Sequence, residues 1–145
     1  LIHSFDHPGF KFPGQRVILV GNDQLCVGDW PSKQLIIYSL TGEVLRKVPC
    51  PPPLIMACDV SMCSCAANSA VISDNDSCIV ARVSLEDGRL LWGSESISKP
   101  CGIFYHPAGY VFAGSVHNNH TTISVTDATD GIVLLFIIII TIKGP

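Results

Sequence analysis

Basic residues are few in this sequence, and they are scattered. Nine Lys and Arg stand against twelve Asp and Glu in 145 residues, for a formal net charge of −3. A surface that neutralises a row of phosphates needs clustered Lys and Arg, because each contact is one charge pairing. No such cluster is present, so no nucleic-acid face is indicated. Charge of either sign is scarce at 14%, while apolar residues reach 48%, which is the reverse of a disordered composition. Apolar runs are short too. "IVLLFIIIITI", from Ile132 to Ile142, has Thr141 as its one polar member, and it falls well below the ~20 residues a membrane helix needs.

Chemistry-bearing motifs are missing as well. There is no G-x-S-x-G elbow and no Gly-rich phosphate loop. Seven cysteines stand at 26, 50, 58, 63, 65, 78 and 101. Their number is odd, and no C-x-x-C pair marks a zinc ribbon. Cys26 in "LCVGD" and Cys78 in "SCIVARV" lie in strand-like stretches, so these thiols read as reduced, buried, small hydrophobes. The alternative is a metal-binding or oxidisable pair at Cys63 and Cys65 in "CSC". The chain opens at Leu1, and "LIHSFDHPGF" lacks the basic start and apolar run of a signal peptide. It therefore reads as a piece of a longer protein, with the odd cysteine count and the lack of a visible signal favouring the cytoplasm.

What is present is a repeat. The turns "LTGEV", "EDGRL" and "TDGIV" place Gly42, Gly88 and Gly131 46 and 43 residues apart. Upstream of each lies a β-branched strand, "QLIIYSL", "CIVARVSL" or "TTISVTDA". Before that come a polar turn ("GDWPSK", "SDNDS", "GSVHNNH") and another strand ("QLCV", "SAVI", "GYVFA"). After each glycine comes a further strand, "EVLRKV", "RLLWGS" or "IVLLFI". Inner-strand candidates are "QRVILV", "LIMACDV" and "CGIFYH", the last two following the proline-bearing linkers "PCPPPL" and "SKPCG". A period in the forties made of short strands is the signature of a β-propeller blade. The expected fold is all-β: one partial propeller domain over residues 1–145, with three four-stranded blades at roughly 15–50, 54–96 and 100–140. Rings close with about four to eight blades, so further sequence is expected to complete this one. "MCSCAANSA", Met62 to Ala70, reads as a loop or one helical turn. Of "IIIITIKGP", the reading preferred here is that it stands outside the blade; the other is an overlong, exposed final strand.

"VGDWPSKQLIIYSLTGEVLRKV" and "AVISDNDSCIVARVSLEDGRLLW" resemble the NHL repeat, in which a strand ends in Ser/Gly-Asp and is followed by a polar turn, a hydrophobic strand, x-Gly and a further strand. "KPCGIFYHPAGYVFAGSVHNNHTTISVTDATDG" resembles the same repeat, with Ser115 standing where Asp29 and Asp74 stand in the others. The resemblance implies a propeller used as a binding surface for proteins and sometimes RNA. "DGRLLW" resembles the tryptophan-containing turn of quinoprotein propellers, which implies an enzyme instead.

Asp29 and Asp74 occupy equivalent strand ends, where a carboxylate accepts hydrogen bonds from backbone N–H groups of the following turn. They belong to different blades, so nothing local joins them for acid–base work. His117 and His120 flank a hairpin tip, too few for a zinc site of three or four ligands. His3 and His7 show no pattern. Asn75-Asp76-Ser77 and Asn119-His120-Thr121 are glycosylation sequons in turns. Trp92 is expected to pack between sheets and Trp30, beside Pro31, to be a contact residue on a rim. The inner strands offer only Asp59 and His106 as channel-facing chemistry. That supply favours a non-catalytic module that binds a protein through rim residues such as Trp30, Asp29, Asp74, His117 and His120, with no metal and no cofactor. The opposing reading is an enzymatic propeller of the quinoprotein or lactonase kind.

Overall fold

The computed structural model describes residues 17–54, 60–65, 68–117 and 120–140. Among them lie twelve strands: β1 Val17–Val20, β2 Gln24–Asp29, β3 Gln34–Ser39, β4 Val44–Pro49, β5 Val60–Cys65, β6 Ser69–Asp74, β7 Ile79–Ser84, β8 Leu90–Ser94, β9 Pro100–His106, β10 Tyr110–His117, β11 His120–Asp127 and β12 Val133–Ile140. They form three four-stranded antiparallel meanders, β1–β4, β5–β8 and β9–β12, here called blades one, two and three.

The hairpin joining the third and fourth strands is built alike in all three. Gly42, Gly88 and Gly131 sit at φ +91°, +77° and +78°, a region that costs a side chain-bearing residue free energy. Their amides donate to the carbonyls of Ser39, Ser84 and Asp127 at 3.1, 3.1 and 3.0 Å. The register slips just before each turn, between Ile37 and Tyr38, Arg82 and Val83, and Val125 and Thr126. Such a slip increases local twist, so the repeat in sequence is also a repeat of backbone irregularity.

Successive side chains of a strand point to opposite faces, and each blade uses both. Cys26, Leu35, Ile37 and Val48 of blade one meet Met62, Ala70, Ile72, Ile79, Ala81 and Val83 of blade two in one buried cluster. The other face of blade two sends Cys65, Val71, Val80 and Trp92 against Val111, Ala113 and Ala128 of blade three. Apolar burial on this scale dominates the stacking. The ion pair of Arg89 with Asp87, at 3.8 Å, is exposed and contributes little.

Two expectations are corrected. The inner strand of blade two is not the stretch 54–60 but Val60–Cys65, paired with β6 from Val60↔Asp74 to Cys65↔Ser69. Part of "MCSCAANSA" is thus strand. Residues 55–59, with Asp59 and Cys58, lie outside the described set. The isoleucine run also belongs to a blade: β12 pairs with β11 through to His120↔Ile140. Five residues beyond it, 141–145, are outside the described set.

Candidate functional site

The turns between second and third strands lie at one end of the three blades and carry the residues singled out in the sequence. In blade two, Asp74 closes the turn. Its Oδ1 accepts from the amides of Asp76 at 3.1 Å and Ser77 at 3.4 Å, and its Oδ2 accepts from the Ser77 hydroxyl at 2.5 Å. The side chain is fully buried. Asp29, at the equivalent place in blade one, is 5% exposed and accepts from Gln34 Nε2 at 3.0 Å. Ser115 takes this position in blade three, also buried. The two aligned acids therefore shape turns, each in its own one of two neighbouring blades.

Trp30, expected on the rim, is instead buried at 7% exposure in the cluster between blades one and two. Its indole folds back over Gly28, where an added Cβ would overlap the six-membered ring. "VGDW" is thus a seat for an indole, with Gly28 leaving the room. His117 and His120 are strand partners at the tip of the β10–β11 hairpin. His120 is exposed, as are Lys33 and Asp76 in the corresponding turns of blades one and two. His106, at the end of the inner strand β9, is exposed, and its Nδ1 accepts from the Ala108 amide at 3.1 Å. Among the described residues no group of three or more His, Cys, Asp or Glu could hold a metal ion.

The opposite end carries the interblade latches: Trp92 packs between sheets as expected, while the hydrogen bonds that it and Arg82 make there were not read from the sequence. Trp92 Nε1 and Arg82 Nη1, both from blade two, donate to the single carbonyl of Ala128 in blade three, each at 2.9 Å. Arg82 Nε also donates to Ser69 Oγ at 2.9 Å. Next to Ala128, a Cβ on Gly131 would come within 2.7 Å of the Trp92 ring. Blade one meets blade two differently: a Cβ on Gly88 would collide with the Pro49 carbonyl oxygen. Arg46 holds the strand position in β4 that Trp92 holds in β8 (Ile37↔Arg46, Arg82↔Trp92). It borders an open cleft of about 270 Å³ with Val20, Gly21, Asp23, Gln24 and Asn68.

Thiols are spread through this scaffold. Burial pushes Cys26 up to about 12, with the nearby Cys50 adding to it and Arg46 opposing. Burial followed by the charge of Asp74 pushes Cys50 to about 12. Cys101 is exposed, and its Sγ lies 3.5 Å from the Gly114 carbonyl.

The sequence matches no protein-family model and no curated protein sequence. Solved structures do resemble the fold. Hydrazine synthase of Kuenenia stuttgartiensis aligns over 85% of this chain and 36% of its own, at 10% identity and a TM-score of 0.65. BamB of Moraxella catarrhalis aligns over 83% and 35%, at 14% identity and a TM-score of 0.58. Glutaminyl cyclase of Myxococcus xanthus aligns over 83% and 50%, at 12% identity and a TM-score of 0.57. The fold is that of a β-propeller, as three blades of an incomplete ring. The chain spans between a third and a half of these propellers. At such identities the likeness speaks for the fold alone. Two of these neighbours, the hydrazine synthase and the glutaminyl cyclase, are enzymes by name. No helix among the described residues is long and apolar enough to cross a membrane.

Proposed function

We propose that this chain is part of a non-catalytic, NHL-like propeller that binds a protein partner, with its ring completed by further blades. The observation that carries the reading is how the two aligned acids are used. Asp29 and Asp74 are buried and engaged within their own blades, so they support turns rather than meet a substrate. A rim of short turns remains above them, with Lys33, Asp76 and His120 exposed. Loops presented by a rigid sheet scaffold are a common place for recognition. Trp30, Asp29 and Asp74 serve this rim from beneath, and His117 and His120 belong to its outermost hairpin. The enzymatic alternative draws on the exposed His106 at an inner strand end and on the enzymes among the structural neighbours.

The test compares the full protein with a variant carrying Lys33→Glu, Asp76→Lys and His120→Glu, after matching their unfolding curves. A purified protein that binds the first and is lost by the second supports the reading. Equal retention of every bound protein by both would remove the rim from the interface.

A further inference from the structure

β12 is the outermost strand of blade three, paired with β11 from Thr126↔Val133 to His120↔Ile140. Its other edge has no partner among the described residues. In an antiparallel ladder, alternate residues turn their N–H and C=O groups outward. About four of the eight residues of β12 therefore offer a donor and an acceptor in a row. Such an edge is a template for another strand unless something blunts it.

The outer strands of the other blades are blunted. β4 carries Arg46 and Lys47 and ends on Pro49, while β8 is five residues long and contains Gly93. Charge, proline and short length are the usual protections of an edge. β12 has none of them: its eight residues read VLLFIIII. One position makes the contrast direct. Lys47 pairs with Ile36, Gly93 with Ala81 and Phe136 with Ser124 in equivalent places. An aromatic ring thus stands where the earlier blades put a charge or no side chain.

This exposure is not that of an unmade seam. Leu135 holds the row of Arg46 and Trp92 (Ile37↔Arg46, Arg82↔Trp92, Val125↔Leu135), on the face that blades one and two turn to the following blade. A further blade stacked there would cover it. Phe136 lies on the other face, in the row Ala113–Ser124–Phe136. Ala113 already meets blade two in the seam, yet Phe136 remains 48% exposed. Stacking of blades therefore covers neither Phe136 nor the outer edge.

An occupant of this edge has to be an extended strand without charge. A second β12 meets that demand. Laid antiparallel, two copies present the same residues to each other across a two-fold axis, with no like charges opposed and apolar side chains adjoining on both faces. We propose that β12 pairs edge to edge with β12 of a second copy of this chain, joining two third blades into one sheet of eight strands, four from each copy. The joint lies at the perimeter, away from the rim turns and from the face where a further blade would stack, so it stands apart from the protein-binding reading above.

The test is sedimentation equilibrium of the full chain, with amide hydrogen exchange at high and low concentration. The expected result is a monomer–dimer equilibrium in which the β12 amides that point away from β11 are protected in the dimer and exchange on dilution. Phe136→Lys installs the side chain that β4 carries at this place, and is expected to raise the dissociation constant about tenfold or more. Mixing it with Phe136→Glu is expected to bring association back as a mixed dimer. Leu45→Lys removes a comparably exposed apolar residue, 46% accessible, from β4 and is expected to change nothing. Unfolding curves matched to the parent show that each variant is folded. A monomer at every concentration, or equal weakening by Leu45→Lys, would overturn the proposal. A dimer whose outward β12 amides stay unprotected would overturn the strand pairing, and growth beyond the dimer would overturn the two-fold joint. Protection of those amides in a monomer would give the edge to a strand of the same chain, and the proposal falls. None of these results bears on the rim comparison, so the two readings fail separately.

Discussion

The indole of Trp92 rests on the backbone of Gly131 in the next blade, so closely that a Cβ there would come within 2.7 Å of the ring. One blade earlier the glycine is also crowded, but by the Pro49 backbone carbonyl, three residues beyond the position that matches Trp92. The hairpin glycine of this repeat therefore meets two demands at once, a left-handed turn and an approaching neighbour. Gly109 separates them, since its φ is +91° but nothing lies within 4 Å of an added Cβ. Gly109→Ala is expected to cost about 1 kcal/mol, the conformational term alone. Gly88→Val is expected to cost about 3 kcal/mol or more, because strain and collision add. Urea unfolding of both variants checks this; equal costs would mean that Pro49 yields freely.

Two donors share the Ala128 carbonyl, so losing one leaves it satisfied. Trp92→Phe, which keeps most of the packing, is expected to cost about 1 kcal/mol. With Arg82→Met in addition, the loss should exceed the sum of the two single losses, because a carbonyl in a buried residue is then left bare. A double-mutant cycle by chemical unfolding measures that excess. Strict additivity would mean that water replaces the missing donor.

Asp74 gathers two amides and a hydroxyl into one turn. Asp74→Ala is expected to cost about 2–3 kcal/mol, since three part-buried donors lose a charged acceptor. Asp74→Asn keeps one carbonyl oxygen and should cost less. Thermal unfolding orders the two, and the reverse order would refute the turn-closing role.

Cys26 and Cys50 carry an alkaline signature. Both are raised from 9.0 to about 12, so the folded state keeps protons that the unfolded state releases. Their contribution to stability is complete below pH 9 and is lost progressively as pH rises towards 12. The urea midpoint should fall between about pH 8 and about pH 10.5, and Cys26→Ala should reduce that fall. At neutral pH, iodoacetamide should modify Cys101 first and Cys26 last among the described cysteines, as exposure orders them. Early labelling of Cys26 would show that the seam opens.

Most of this architecture was legible from glycine spacing and β-branched alternation, because hairpins and half-buried strands are specified locally. Asp74 was readable as a turn-closing acid for the same reason. Val60–Cys65 was not, since "VSMCSC" has modest strand propensity and gains its place from β6 and the two seams around it. The apolar "PLIMACDV" drew the expectation upstream. The isoleucine run misled through its exposed apolar character, since Leu134, Leu135, Phe136 and Ile137 are all about half exposed on a strand that, among the described residues, has no partner at its outer edge. Trp30 was misplaced because Gly28, two residues away, reads as a turn former until the indole is seen lying on it. The Arg46–Asn68 hydrogen bond was invisible, because its partners are 22 residues apart and in different blades.

The glycine joint also bears on how such a chain can be rearranged at the level of its gene. Both described seams bring a fourth strand onto the glycine hairpin of the following blade, and contacts of this kind reach only the adjacent unit. A deletion from just after Gly42 through Gly88 would complete β1–β3 with β8 and bring Trp92 to the place of Arg46, still facing Gly131. The glycine codons are therefore natural crossover points, where recombination can lengthen or shorten the array by a whole blade and keep a working joint.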